Sequence, residues 1–117
     1  MACVLVVDDD FGIREALSMI LEQEGYSVTS ASDGQEALSK MKDGPLPALI
    51  LLDQHMPNMG AEAFLTKRLG LEPLKSIPVI LMSASPPATP LAKKERFLLK
   101  PFQAEEVLGL IREVACA

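Results

Sequence analysis

Five short apolar runs alternate along the chain with segments that have helical periodicity. The runs occupy residues 2–7, 26–31, 47–52, 77–82 and 96–99. The third run, PALILL, is continuously apolar after its proline, which is typical of a strand buried on both faces of a parallel sheet. Regular alternation of strands and helices predicts an α/β fold in which helices cover both faces of such a sheet. With 117 residues the chain can bury a core of its own, so we expect one domain over residues 1–117.

The helical segments carry start and stop signals. The first follows a candidate N-cap, Asp10, and ends before Gly25. Its apolar residues share one helical face: Ile13, Leu17, Ile20 and Leu21. In the second segment Asp33 and Glu36 have capping-box spacing. Further helices are predicted over residues 61–69 and 103–115.

Four of the apolar runs end in side chains that carry chemistry. The first runs into Asp8 and Asp9, and the later ones end at Asp53, Ser83 and Lys100. Ligands of open parallel sheets bind outside the carboxyl ends of the strands, so these side chains should meet. Adjacent carboxylates repel one another unless a cation lies among them, and their hard oxygens suit Mg²⁺, with Mn²⁺ as the alternative. Together with a lysine and a hydroxyl, they indicate phosphoryl transfer to a carboxylate.

Charge, hydropathy and cysteine content exclude several other classes of protein. The net charge is −5 and the pI is about 4.8, which argues against a nucleic-acid-binding surface. No apolar run approaches the roughly 20 residues of a membrane span, and the first lacks the features of a signal peptide. Cys3 and Cys116 have no metal-site spacing. We expect reduced thiols and a cytoplasmic location.

Four motifs in order resemble the receiver domain of bacterial response regulators. They are VLVVDDDFGIREAL, LILLDQHMPNM, VILMSAS and LLKPF, and the resemblance extends over essentially the whole chain. It implies a flavodoxin-like, doubly wound sheet of five parallel strands in the order 2-1-3-4-5. It also implies a phosphoacceptor of two-component signalling that catalyses its own phosphorylation and dephosphorylation, rather than an enzyme that turns over an external substrate.

The resemblance assigns roles to individual residues. Asp53 would be the phosphoacceptor, Asp9 the main acidic Mg²⁺ ligand, and Asp8 would act largely through water. The other implied roles are a backbone-carbonyl ligand at His55, a switch hydroxyl at Ser83, a switch aromatic at Phe97 and a phosphate-facing lysine at Lys100. The Lys100–Pro101 peptide would be cis. A histidine kinase or a phosphotransfer protein would donate the phosphoryl group, and a downstream protein of unknown identity would read it.

Two stretches depart from the family's pattern. Gly60 and Ala61 stand where the family usually has Asp-Gly after MPNM. Between the fourth and fifth strands, Pro86, Pro87 and Pro90 are incompatible with a full helix, because proline in a helix interior costs about 3 kcal/mol. We therefore expect the fourth of the family's five helices to be shortened or absent, and the face built around it to be altered.

Two other functions compete with the phosphoacceptor. The first is a pseudo-receiver, which is a protein-interaction module that works without phosphorylation. The second is a phosphatase of the haloacid-dehalogenase type, for which Asp8 and Asp10 have suitable spacing at the end of the first strand. The residues that follow, Phe11 and Gly12, do not match that second family, and the chain has no room for its cap domain.

Overall fold

A five-stranded parallel sheet forms the centre of the molecule. The computed structural model describes residues 3–44, 46–54, 64, 77–83 and 95–115. The strands are β1 (Cys3–Val7), β2 (Ser27–Ala31), β3 (Leu49–Asp53), β4 (Val79–Ser83) and β5 (Glu95–Leu99). Their order in the sheet is β2-β1-β3-β4-β5, and every neighbouring pair is parallel. The predicted fold class and strand order are confirmed.

Strand boundaries differ from the predicted runs by one or two residues. β4 begins at Val79 rather than at Ile77, since Pro78 has no N–H to donate to the ladder. The carbonyl of Pro78 still accepts a hydrogen bond from the N–H of Ile50 at 3.0 Å. Asp53 and Ser83 are the last residues of their strands, as predicted.

Three helices are described: α1 (Phe11–Gln23), α2 (Gly34–Asp43) and α3 (Ala104–Ala115). Asp10 caps α1 as predicted, and Gly25 follows that helix with a φ of 91°, where a left-handed residue ends a helix. Asp33 caps α2 by accepting a hydrogen bond from the N–H of Glu36. Glu36 does not return the bond to Asp33; its carboxylate accepts from the N–H of Ser32 at 2.6 Å. The predicted capping box is therefore formed only in part: Asp33 caps Glu36, but Glu36 bonds to the residue before Asp33.

Two hydrophobic clusters lie on opposite faces of the sheet. Leu5 and Val7 of β1 pack with α2, whereas Val4 and Val6 pack with α1 and α3. This division of alternate residues is what a strand buried on both faces requires. The sheet is thereby fixed between helices, and its carboxyl edge is placed next to the start of α1.

Two predicted features lie outside the described residues. Of the helix predicted over residues 61–69, the structure describes only Phe64, which is helical and fully buried. The path of residues 84–94, where helix 4 was expected to be shortened or absent, is not among the described ranges.

Candidate metal centre

Asp8, the first acid after β1, is completely buried and held at both carboxylate oxygens. Its backbone N–H donates to the carbonyl of Ala31 in the neighbouring strand at 3.1 Å. Oδ1 accepts from the N–H of Asp10 at 2.9 Å, and Oδ2 accepts from Nζ of Lys100 at 2.9 Å. The side chain of Asp8 therefore has a fixed direction before any ligand arrives.

Asp9 and Asp10 have different environments although they are neighbours. The Oδ1 atom of Asp10 accepts from the N–H of Gly12 at 2.8 Å and from that of Ile13 at 3.3 Å, so it serves the helix. A Cβ on Gly12 would lie 3.2 Å from this oxygen, so the small residue leaves room for the cap. The exposed Asp9 carboxylate receives no hydrogen bond or ion pair from the part of the chain that the structure describes. Among the three acids, Asp9 has the carboxylate most available to a ligand.

Asp53 and Lys100 meet at the same edge from different strands. Asp53 ends β3 and is 6% exposed. Lys100 follows β5, where its backbone N–H donates to the carbonyl of Ser83 at 2.8 Å. Its Nζ donates to Oδ1 of Asp53 at 2.9 Å and, at the same distance, to Oδ2 of Asp8. The Lys100–Pro101 peptide is cis, as the resemblance implied.

The electrostatics of this cluster reflect three carboxylates that face one ammonium group. Burial raises the pKa of Asp53; the hydrogen bond from Lys100 opposes this shift, and the negative charge of Asp8 adds to it. Burial alone would lower the pKa of Lys100, but its hydrogen bonds to Asp53 and Asp8 outweigh burial and raise that pKa. The pKa of Asp53 is thus raised first by burial and further by the negative charge of its neighbours, whereas the same negative charge raises the pKa of Lys100.

The acids are spaced to share one cation. Asp8, Asp9 and Asp53 each offer a carboxylate oxygen, and these three atoms lie within 4.8 Å of one another. Hard oxygen donors of this kind suit Mg²⁺, which commonly takes one or two carboxylates and keeps several waters. The carboxylate of Asp9, which has no partner among the described residues, and the excess negative charge agree with such an ion. The residues therefore fit the metal that the sequence predicts.

Two of the three remaining predicted site residues are described, Ser83 and Phe97. Ser83 is buried at the end of β4, which is the same edge as Asp53 and Lys100. Phe97 lies in the middle of β5, is half-buried, and packs against the cluster that contains α2. The third, His55, lies outside the described residues.

One residue of this region has no counterpart in the sequence-based predictions. Arg14, in the first turns of α1, donates from Nη1 to the backbone carbonyl of Asp8 at 2.6 Å. Its guanidinium also lies over the ring of Phe11, 5.6 Å from the centroid. The only sequence signal is its position four residues after the N-cap, which directs a long side chain back toward the end of β1.

None of the described helices combines the length and the apolar character that a membrane crossing requires.

Comparisons with known proteins agree with this architecture. The profile of the response regulator receiver domain matches residues 4–112. The two-component response regulator ORR5 of rice is 34% identical over 116 residues, which cover 95% of this chain and 87% of ORR5. The CAI-1 autoinducer sensor kinase/phosphatase CqsS of Vibrio cholerae is 42% identical over 78 residues, which cover 66% of this chain and 11% of CqsS.

A solved structure extends the likeness to three dimensions. The chemotaxis response regulator CheY4 of Vibrio cholerae superposes with a TM-score of 0.85 at 31% identity, over 97% of this chain and 98% of that one. The family profile spans nearly the whole chain, and the strand order and the acidic edge of the sheet are those that the motifs predicted. The chain thus belongs to the family of response regulator receiver domains of two-component systems.

Proposed function

We propose that residues 1–117 form a receiver that takes a phosphoryl group onto Asp53 from a histidine kinase or a phosphotransfer protein, in a Mg²⁺-dependent reaction. The observation that supports this most directly is the position of Lys100, whose Nζ lies 2.9 Å from both Asp8 and Asp53. Because the ammonium group of Lys100 is shared with Asp8, Asp53 lies close to a positive charge but is not paired with it alone. That is a suitable environment for a carboxylate nucleophile.

The proposed step is a displacement at phosphorus. An oxygen of Asp53 forms a P–O bond as the P–N bond of a phosphohistidine breaks. The donor's imidazole nitrogen keeps the electron pair and later takes a proton. With acetyl phosphate as donor, a P–O bond breaks instead and acetate leaves. Water returns Asp53 to the carboxylate by hydrolysis of the acyl phosphate, releasing inorganic phosphate.

The side chains around Asp53 would position the incoming group. Lys100 would donate to a phosphoryl oxygen once Asp53 has reacted, and the hydroxyl of Ser83 would donate from the neighbouring strand end. Bound Mg²⁺ would offset negative charge on the transferring oxygens. Asp9 and Asp53 would hold that ion directly, Asp8 largely through water, and the backbone carbonyl of His55 would complete the ligands; Mn²⁺ should bind at the same place.

Phosphorylation would then act as a switch between two conformations. The new phosphoryl oxygens draw Lys100 and Ser83 toward them, and Phe97, two residues before the end of β5, would change its packing. A downstream protein that binds one conformation better than the other would respond to this shift. The purpose is signalling, without turnover of an external substrate. We place it in the cytoplasm, where the free thiol of Cys3 would stay reduced.

Intact mass spectrometry tests the proposal. The protein is incubated with acetyl phosphate and Mg²⁺, and in parallel with a phosphorylated histidine phosphotransfer protein. We expect the wild type to gain one phosphoryl group with each donor, and the gain to disappear when the metal is chelated. Asp53→Asn should gain none. Asp43→Asn, which changes an exposed acid at the end of α2, is the matched control and should behave like the wild type.

The other outcomes identify the competing functions. If neither donor adds mass to the wild type, the chain is a pseudo-receiver and the proposal is wrong. A phosphatase of the haloacid-dehalogenase type would need Asp10 as its second acid, yet that side chain is bonded to the N-terminus of α1.

A further inference from the structure

Arg14 holds the backbone of the acidic turn that follows β1. Its Nη1 donates to the carbonyl oxygen of Asp8 at 2.6 Å, in a partly buried position. That carbonyl belongs to the peptide that joins Asp8 to Asp9. The ring of Phe11 lies against the guanidinium on one side, with the centroid 5.6 Å from Cζ, which restricts the rotamers open to the long side chain.

The two acids on either side of this peptide are held in different ways. The carboxylate of Asp8 is fixed by the N–H of Asp10 and by Lys100. The carboxylate of Asp9 has no such partner among the described residues. The direction in which Asp9 points therefore depends on the backbone. Two side-chain bonds restrain that backbone: the Asp8 carboxylate accepts from the N–H of Asp10, and Arg14 alone donates to the carbonyl of the Asp8–Asp9 peptide among the described residues.

We infer that Arg14 is a positioning residue, which fixes the Asp8–Asp9 peptide so that the Asp9 carboxylate is presented to the divalent cation. The inference rests on the proposed metal site. Groups that orient a metal ligand without touching the metal commonly change its affinity by about ten- to a hundredfold when they are removed.

Charge and geometry predict opposite effects at this residue. A guanidinium next to an anionic metal site repels a divalent cation, so loss of the charge alone should tighten binding. Loss of the hydrogen bond to the Asp8 carbonyl should weaken binding, since Asp9 is no longer held in place. Weaker binding after removal of Arg14 can therefore not be an effect of its charge.

The test is a Mg²⁺ titration of the full chain by calorimetry, without any phosphodonor. Arg14→Met keeps an unbranched side chain but removes the charge and the donor; we expect its Kd to be about tenfold weaker than that of the wild type. Arg14→Lys keeps a charged donor and should recover part of the loss. Arg112→Met removes an exposed arginine of α3 that pairs with Glu24 at 3.6 Å, and it should leave the Kd unchanged.

A double-mutant cycle with Asp9→Asn shows whether Arg14 acts through Asp9. In the Asp9→Asn background, Arg14→Met should change the Kd much less than it does in the wild type. An equal change in both backgrounds, or unchanged or tighter binding by Arg14→Met, would overturn the inference. Thermal unfolding without metal shows whether each variant is folded. If Arg14→Met does not fold, Arg14→Lys is tested instead. A wild-type Kd for Arg14→Lys would then refute the need for the geometry of the arginine.

Failure of the inference is distinguishable from failure of the proposed function. If the wild type binds no Mg²⁺, the proposed metal site is wrong and the role of Arg14 falls with it. If the wild type binds Mg²⁺ and accepts a phosphoryl group on Asp53 while Arg14→Met binds the metal equally well, only the inference is wrong.

Discussion

Lys100 and Asp53 form an ion pair at 2.9 Å, although 47 positions separate them in the sequence. The same Nζ atom contacts Asp8, so one ammonium group is shared by two buried carboxylates. The single positive charge of Lys100 does not neutralise this cluster, because Asp9 brings the number of carboxylates to three. The stability of the apo protein and its reactivity should therefore depend on the same few side chains.

Replacement of Lys100 by methionine should separate metal binding from phosphorylation. Removal of the ammonium group of Lys100 leaves Asp8 and Asp53 without their shared partner. We therefore expect the free energy of unfolding of the metal-free protein to fall by about 3 kcal/mol. Mg²⁺ binding should persist or tighten, while mass spectrometry should detect no phosphoryl gain. Lys42→Met, on the exposed surface of α2, is the control. Phosphorylation of Lys100→Met at the wild-type rate would contradict the role given to Lys100.

Asp53→Asn should stabilise the metal-free protein. The raised pKa of Asp53, caused first by its burial, means that the folded state disfavours the charged form. This penalty is present in full above the raised pKa of the folded state, shrinks as the pH falls from that pKa toward the ordinary pKa of the unfolded chain, and is absent below it, so the advantage of asparagine should shrink in acid. We expect a gain of about 1 kcal/mol at pH 7 in urea unfolding with a chelator present. Saturating Mg²⁺ should remove the difference, since it stabilises the wild type more; a variant less stable than the wild type in chelator would contradict this.

The sequence allowed the sheet and the identity of its reactive edge to be predicted, for physical reasons. Short continuous apolar runs such as residues 49–52, in regular alternation with helical segments, are typical of buried parallel strands, and the residues that end such strands meet at one edge. The different environments of Asp8 and Asp9 could not be worked out from the residues alone, because they depend on which of the two carboxylates Lys100 contacts. Arg14 was missed for a related reason: its partner is a backbone carbonyl, which every residue carries. Glu36 likewise bonds to the N–H of Ser32 instead of that of Asp33.

Two glycines in different backbone conformations should respond in opposite ways to alanine. Gly25 has a φ of 91° with open space around it, so Gly25→Ala meets only backbone strain and should destabilise the fold by about 1 kcal/mol. Gly109 lies within α3, and a Cβ added there would meet nothing within 4 Å, so Gly109→Ala should stabilise the fold by about 1 kcal/mol. Urea unfolding of both variants measures the two effects. Changes of the same sign would show that local conformation does not decide them.

Glu36→Gln should change stability in a pH-dependent way that is unrelated to the metal site. The backbone hydrogen bond from Ser32, followed by that from its hydroxyl, lowers the pKa of Glu36 below its ordinary 4.5. A carboxyl whose pKa is lowered by folding contributes stability above its unfolded pKa, and that contribution is lost as the pH falls through the folded value. The side chain is 42% exposed, so we expect the variant to lose only about 0.5 kcal/mol at pH 7.

The difference between the wild type and Glu36→Gln should vanish in acid, once Glu36 is protonated in both the folded and unfolded states. Urea unfolding at several pH values measures it, and Glu15→Gln, on the exposed surface of α1, controls for the loss of one surface charge. A difference that stays constant from pH 7 into acid would mean that the ionised carboxylate is not what stabilises the start of α2. A neutral amide would then accept the hydrogen bonds from Ser32 as well as the carboxylate does. The charge of Glu36 would contribute nothing to the stability of the start of α2.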